Sequence, residues 1–435
     1  MAAAVEDLDF NSPAFLADPW PILSRLREQD PVFWSNTHQA WIVTRHADIL
    51  ACFRDKRLSA SRIVPFLETI PGGLGNDFPL IRRFENAWIA NVDDPTHSRL
   101  RKLMLNAFGR PVVESLRPRA RATSRELLAA VNGREIDFVA EVARELPARV
   151  VTGMFGVPEP MRDQFAAWAG DIQQATGAAV LTRPMVERYH RTLEELSAAL
   201  MVLIEERRRE PRADLLSELV RARDAGDQLS EDELLGACHA TIIGGFETTM
   251  HMLTLGLILL AGRPDLHARL HAGQKECQQL IDEILRHVGM VKAMLRIARE
   301  DFEWHGKTIR RGDLVFGVNM SGSRDERVWK NPDAIDPERN NTLSMAFGAG
   351  PHFCLGHLLA KMELAEFFDE AFAHHDVQIL GEQRHHINSF AFRGLESLRV
   401  RITRKPAAGA PRASCSPQRA STWSARPPTG APRWT

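Results

Sequence analysis

The chain reads as a helix-rich α+β fold, mainly α, and three observations predict it. Apolar residues recur at three- and four-residue intervals over long stretches, as on the buried face of a helix. Strand-like runs are short and gather near the two ends. One unusually long helical segment occupies the middle, so strands flank a helical body.

In chain order, residues 18–28 form the first clear helix. Residues 31–35 and 40–44 follow as a hairpin through residues 36–39. Helical periodicity then marks residues 113–131, 160–175 and 185–209. The long segment 234–260 opens on Ser230 and Glu233, spaced as a capping box. Further strand pairs are expected between residues 302–309 and 314–318, and between 377–380 and 398–403, with a helix at 358–373 separating the pairs. Two segments are irregular. Residues 65–77 hold three glycines and two prolines and read as a long loop, and residues 319–342 are polar and turn-rich. After Lys405 the chain is rich in Pro, Ala, Ser and Arg without apolar period, so the tail 405–435 is expected to be disordered.

Composition narrows the function. The 435 residues are 44% hydrophobic and 26% charged, ordinary globular values with ample length for a large core. The formal charge is −1, from 55 basic and 56 acidic residues. Five of the basic residues lie beyond Arg404 and no acidic one does, so residues 1–404 hold 50 against 56, a formal −6. A nucleic-acid partner held by bulk positive charge is excluded. Five cysteines, odd in number and widely spaced, suggest neither a disulfide framework nor a zinc site. The acidic N-terminus and a most apolar stretch of 10 residues, 252–261, against the ~20 that span a bilayer, predict a cytoplasmic protein without a membrane anchor.

Four segments carry chemistry. In the run 346–357, two glycines and a proline make a tight loop, with Cys354 placed just before a helix. A thiolate at a helix N-terminus is stabilised by unsatisfied N–H groups, and such a sulfur can ligate iron and push electron density onto it. A lone cysteine beside a turn is otherwise a buried structural residue. In the long helix, Gly244 and Gly245 cost ~1 kcal/mol each relative to alanine, and close approach of a planar ligand would offset that. Glu247 and Thr248 follow, an acid and a hydroxyl able to relay protons, unless the Glu is merely solvated and the Thr bonds back to its own helix. Glu283 and Arg286 share a helix face, which alone means a surface ion pair. His97 and Arg101 share another face, at i and i+4.

Phe347, Gly350, Cys354 and Gly356, spaced Phe-x-x-Gly-x-x-x-Cys-x-Gly, resemble the heme-binding loop of the cytochrome P-450 superfamily. The stretch 244–249 is similar to the family's oxygen-activation motif, with Glu in place of the commoner Asp. Glu283 and Arg286, with Arg339 in a later loop, match its buried Glu-x-x-Arg brace. His97, Arg101, Arg296 and His352 match its heme-propionate positions. The resemblance runs from about residue 18 to 402 and is closest to the soluble bacterial branch. It departs where the usual proline between Arg286 and Arg296 is missing.

The resemblance implies the P-450 fold in one domain, residues 1–404, with heme b between the long central helix and the helix after the cysteine. Cys354 is then the axial iron ligand, and Phe347, Gly348 and Gly244 also contact the cofactor. Glu247 and Thr248 deliver protons. Ala240, Ile243, Val291, Lys292 and Phe392 line the substrate pocket, and Arg82, Arg83 or Lys292 could pair a substrate carboxylate. The implied activity is oxygen insertion into a hydrophobic small molecule such as a terpenoid, fatty acid or polyketide. Electrons come from NAD(P)H through a ferredoxin and its reductase, docking near Arg99, Lys102 and Lys361, and the chain acts as a monomer. Two other readings stay open, a peroxide-driven heme enzyme and a non-catalytic heme-binding relative.

Overall fold

A computed structural model describes residues 7–62, 77–178, 181–212, 214–224, 229–385 and 389–406. The loop expected from residue 65 and the tail after residue 406 lie outside them.

The helical periods become helices close to where the sequence puts them: Trp20–Gln29, Arg110–Ala130, Arg162–Thr176, Arg183–Arg209 and His357–His374. The central helix, Glu231–Ala261, runs 31 residues. Its capping box forms, with Ser230 Oγ accepting from Glu233 N at 3.1 Å and Ser230 N donating to Glu233 Oε2 at 2.9 Å. By length and hydropathy this helix could cross a bilayer, but most of it is buried as the axis of the largest apolar core. Helices Glu145–Met154 and Arg162–Thr176 pack on one side of it and Gln274–Val288 and His357–His374 on the other.

Among the described residues, twelve short strands accompany this body. β1 (Val32–Ser35) and β2 (Ala40–Val43) form the expected hairpin, with Val32 opposite Val43. β3 (Leu58–Ser59) is an edge strand, and β4 (Glu135–Asp137) lies far along the chain. β5 (Met294–Ala298), β6 (Phe302–Trp304), β7 (Lys307–Ile309) and β8 (Leu314–Gly317) come in quick succession. β9 (His375–Ile379), β10 (Arg384–His385), β11 (Leu395–Ser397) and β12 (Arg399–Arg404) complete the set. The largest sheet has the order β1-β2-β8-β5-β3, with β2 and β8 parallel. β12 pairs with β9 as expected, and also with β4.

One expected pairing is wrong. Residues 302–309 do not pair with 314–318; they fold on themselves as the β6–β7 hairpin, Trp304 opposite Lys307. His305 and Gly306, at φ 50° and 70°, supply the two positive-φ positions of a tight two-residue turn. That frees β8 to lie between β2 and β5. β5, which holds Arg296, is apolar and continuous and has no strand counterpart in the periodicity above.

Candidate active site

A cavity of about 340 Å³ lies between the central helix, the loop before helix His357–His374, and β5. It is lined mostly by apolar side chains, with few polar groups among them.

The cysteine loop forms one wall. Gly348 and Gly350 sit at φ 74° and 71°, a region that costs L-residues energy, and a Cβ on Gly350 would meet the Phe53 carbonyl oxygen at 2.9 Å. Cys354 N donates to Phe347 O at 3.0 Å, closing the loop so that Phe347, Gly348, Cys354 and Gly356 all reach the cavity. His357 Nδ1 lies 3.0 Å from Cys354 O. Burial raises the Cys354 thiol above its ordinary value, outweighing the backbone N–H groups of Gly356 and His357 and the charge of Arg101 that favour thiolate.

The central helix forms the opposite wall. Its two glycines serve different purposes. A Cβ on Gly244 would meet nothing within 4 Å, so it fronts the cavity, whereas one on Gly245 would meet Val151 Cγ2 at 2.8 Å. Only the first leaves room for a planar ligand; the second lets helix Glu145–Met154 pack close. Ala240, Ile243 and Thr248 line the cavity, with Thr248 Oγ1 donating to Gly244 O at 2.6 Å. Glu247 does not reach it. Its Oε1 lies 3.4 Å from His251 Nε2, and with the Gln173 amide oriented to present its nitrogen, that nitrogen donates to Glu247 Oε2 at 3.2 Å and to Ile243 O at 3.1 Å.

Basic residues gather at one end. His97, Arg101, Arg296 and His352 all line the cavity, and the rings of His97 and His352 lie in contact, tilted 38° with centroids 4.0 Å apart. Burial and then the neighbouring Arg296, His97, Arg62 and Arg101 hold His352 neutral, down to about 2. His97 Nε2 is buried without a partner among the described residues. Arg296 donates to Leu295 O at 2.9 Å and lies 5.0 Å from the Phe53 ring centroid.

Behind the cysteine loop the expected brace is complete. Arg286 grips Glu283 with two bonds of 2.8 Å, and Arg339 Nε and Asp336 N both donate to Glu283 Oε1, at 3.1 and 2.9 Å. Arg286 also donates to the carbonyls of Ser323, Pro332 and Ala334, so every charged atom of the triad is satisfied in the protein interior.

The pocket expectations divide. Val291 and Phe392 form an isolated bridge and line the cavity. Lys292 does not, because side chains alternate along extended chain and Val291 takes the inward place. Lys292 is fully buried on the other side, Nζ donating to Phe10 O at 3.0 Å and Ser389 O at 2.8 Å. Arg83 pairs with Asp232 at the surface, and Arg82 is likewise outside the cavity lining. None of the three faces a substrate. Of the docking cations, Arg99 pairs with Glu233 and Lys361 with Asp282, while Lys102 is exposed.

Among the cavity residues given no role by the sequence are four with polar or charged side chains: Arg62, Asn91, Gln173 and Glu363. Glu363, nine positions beyond Cys354 on a helix with few exposed positions, is almost fully buried, and burial pushes its carboxyl up to about 8. Spacing alone does not separate it from Glu366 and Glu370, three and seven positions on, which are buried too.

These residues fit an iron porphyrin. Gly244, Gly348 and Gly356 face open space where a Cβ would meet nothing within 4 Å, Cys354 is the one thiol among the described cavity residues, and cations and imidazoles stand where carboxylates need donors. The family model for Cytochrome P450 matches residues 75–395. The chain is 36% identical over 336 residues to the mycinamicin IV hydroxylase/epoxidase of Micromonospora griseorubida, covering 75% of this chain and 79% of that protein. It is 31% identical over 405 residues to the 6-deoxyerythronolide B hydroxylase of Saccharopolyspora erythraea, covering 91% and 98%. The crystal structure of epothilone D-bound cytochrome P450epoK superposes with a TM-score of 0.83 at 28% identity, covering 91% of this chain and 99% of that one. Thiolate loop, open central-helix glycine, basic cluster and relatives agree: the chain belongs to the cytochrome P450 family and is a heme b-dependent P450 monooxygenase.

Proposed function

We propose that this monooxygenase hydroxylates or epoxidises a hydrophobic small molecule of specialised metabolism, held in the apolar space between Thr248 and Cys354. That space is the observation carrying the proposal: Ala240, Ile243, Met252, Val291 and Phe392 offer almost nothing to a polar substrate. A polyketide skeleton is favoured over a terpenoid or fatty acid, because a relative in Bacillus subtilis, 29% identical over 404 residues, is named for polyketide biosynthesis.

When bound, the heme supplies activation of O2 with two electrons, one oxygen entering the substrate and the other leaving as water. Cys354 holds the iron, and Gly356 N–H, His357 N–H and Arg101 stabilise the sulfur's negative charge. Arg101 and Arg296 hold the propionates, with His97 Nε2 and His352 as neutral donors. Thr248 presents its hydroxyl to the cavity. Glu247, held by Gln173 and His251 on the far face of the helix, passes protons toward it.

Electrons arrive from NAD(P)H through a ferredoxin and reductase. With Arg99 and Lys361 already ion-paired, Lys102 is the exposed member of the expected docking group and has no ion pair among the described residues. The protein works as a cytoplasmic monomer, with Glu283, Arg286 and Arg339 bracing the proximal side. A reduced-CO difference spectrum tests the reading: thiolate ligation gives a far-red Soret band, and its absence would overturn it. Product formed with ferredoxin and reductase, but not with peroxide, separates it from a peroxide-driven enzyme.

A further inference from the structure

Arg62 lies just beyond β3 and lines the cavity beside Arg296 and His352. Its Nη1 donates to two backbone carbonyls, Ala90 O at 2.9 Å and Ala60 O at 3.2 Å. Both Nη1 hydrogens are thereby used. Nε and Nη2, the edge that grips a carboxylate side-on through two parallel bonds, have no hydrogen-bond partner among the described residues.

No described carboxylate pairs with this guanidinium. Glu85 and Asp93 act on it only at longer range, and Asp93 is already bonded to Ser59 Oγ at 2.5 Å, to Ala60 N at 3.0 Å and to Arg299. A guanidinium does not shed its proton in proteins, so the position stays cationic. Holding a half-buried guanidinium without a counter-charge has a cost, and the neighbouring Arg296 raises it.

We propose that the free edge of Arg62 receives a carboxylate within the cavity, either a heme propionate or an acid group on the substrate. Both sources share one chemistry and one geometry, a planar anion gripped by Nε and Nη2. This rests on the heme reading above. It also moves the acid-recognising cation sought at Arg82, Arg83 and Lys292 to a residue that does line the pocket.

The test uses the full-length holoprotein with Arg62→Gln and Arg62→Lys. Transfer of protoheme to apomyoglobin reads the propionate arm. Loss of a charge-assisted bidentate bond should speed transfer in Arg62→Gln about tenfold or more, with Arg62→Lys intermediate. Reconstitution with heme dimethyl ester should abolish that difference. Spin-state titration with hexadecanoic acid and its methyl ester reads the substrate arm, where the acid's advantage should vanish in Arg62→Gln. Either pattern supports the proposal and names the source.

The proposal is overturned if Arg62→Gln matches wild type in both arms. It is equally overturned if the variant loses protoheme and its dimethyl ester equally fast with no change in acid preference, since that is a packing role. A wild-type reduced-CO spectrum without the far-red band would instead overturn the heme reading itself.

Discussion

Thr248 and Glu363 show how much a single side chain's surroundings decide. Thr248 bonds back to Gly244 O at 2.6 Å, the arrangement a purely local reading of a helical threonine expects, yet it also faces the cavity. Thr248→Ala should leave the reduced-CO spectrum unchanged and lower product formed per NAD(P)H, with a positioned proton donor contributing on the order of 10²-fold. Unaltered coupling would remove Thr248 from the relay. Glu363 makes a pH prediction. Its carboxyl rises from 4.5 to about 8 through burial, against a smaller opposing effect of the Thr249 hydroxyl. Below pH 4.5 folded and unfolded chains both carry the proton; as pH rises toward 8 the unfolded chain ionises first, so this residue's contribution to stability is progressively lost. Tm measured across that window should decline less steeply in Glu363→Gln than in wild type. Parallel declines would show that the residue is not buried in its acid form.

At the scale of elements, the central helix carries two adjacent glycines with opposite duties. Gly244→Ala places a methyl in open space and recovers about 1 kcal/mol of helix propensity, so the chain without heme should melt higher. With the heme bound as proposed, that methyl would stand in its path, so heme affinity should fall. Gly245→Val drives carbon into Val151 on helix Glu145–Met154 and should cost about 1–3 kcal/mol in denaturant unfolding. Equal effects of the two substitutions would contradict their assignment to different faces. The β6–β7 hairpin teaches a related lesson. Residues 302–309 look like one strand by composition, and a two-residue turn of positive φ at His305 and Gly306 divides them. Strand propensity is blind to such a turn unless its first residue is an obvious turn former.

Across the whole molecule, the Glu283, Arg286 and Arg339 network ties helix Gln274–Val288 to the long polar loop behind the cysteine. Glu283→Gln leaves two buried guanidiniums facing a neutral amide and should cost about 3–5 kcal/mol. Chemical denaturation and heme retention would both register it, and a loss below 1 kcal/mol would mark the network as dispensable. Lys292 plays a comparable part elsewhere, joining the N-terminal segment at Phe10 to the loop at Ser389 behind the pocket wall.

What could be read from residues alone was whatever is written in local order. The capping box, the Cys354 loop, the Glu283–Arg286 spacing and the helical periods are fixed by neighbours a few positions apart, and each stands where the sequence put it. The fold decided what depends on direction and on distant chain. It turned Val291 toward the cavity and Lys292 away from it into the interior behind, pointed Glu247 toward Gln173 and His251, and brought Arg62, Asn91 and Gln173 to the cavity beside Cys354. The physical reason is that a side chain's contacts follow from which face of its own element is buried, and that is set by packing between segments hundreds of residues apart.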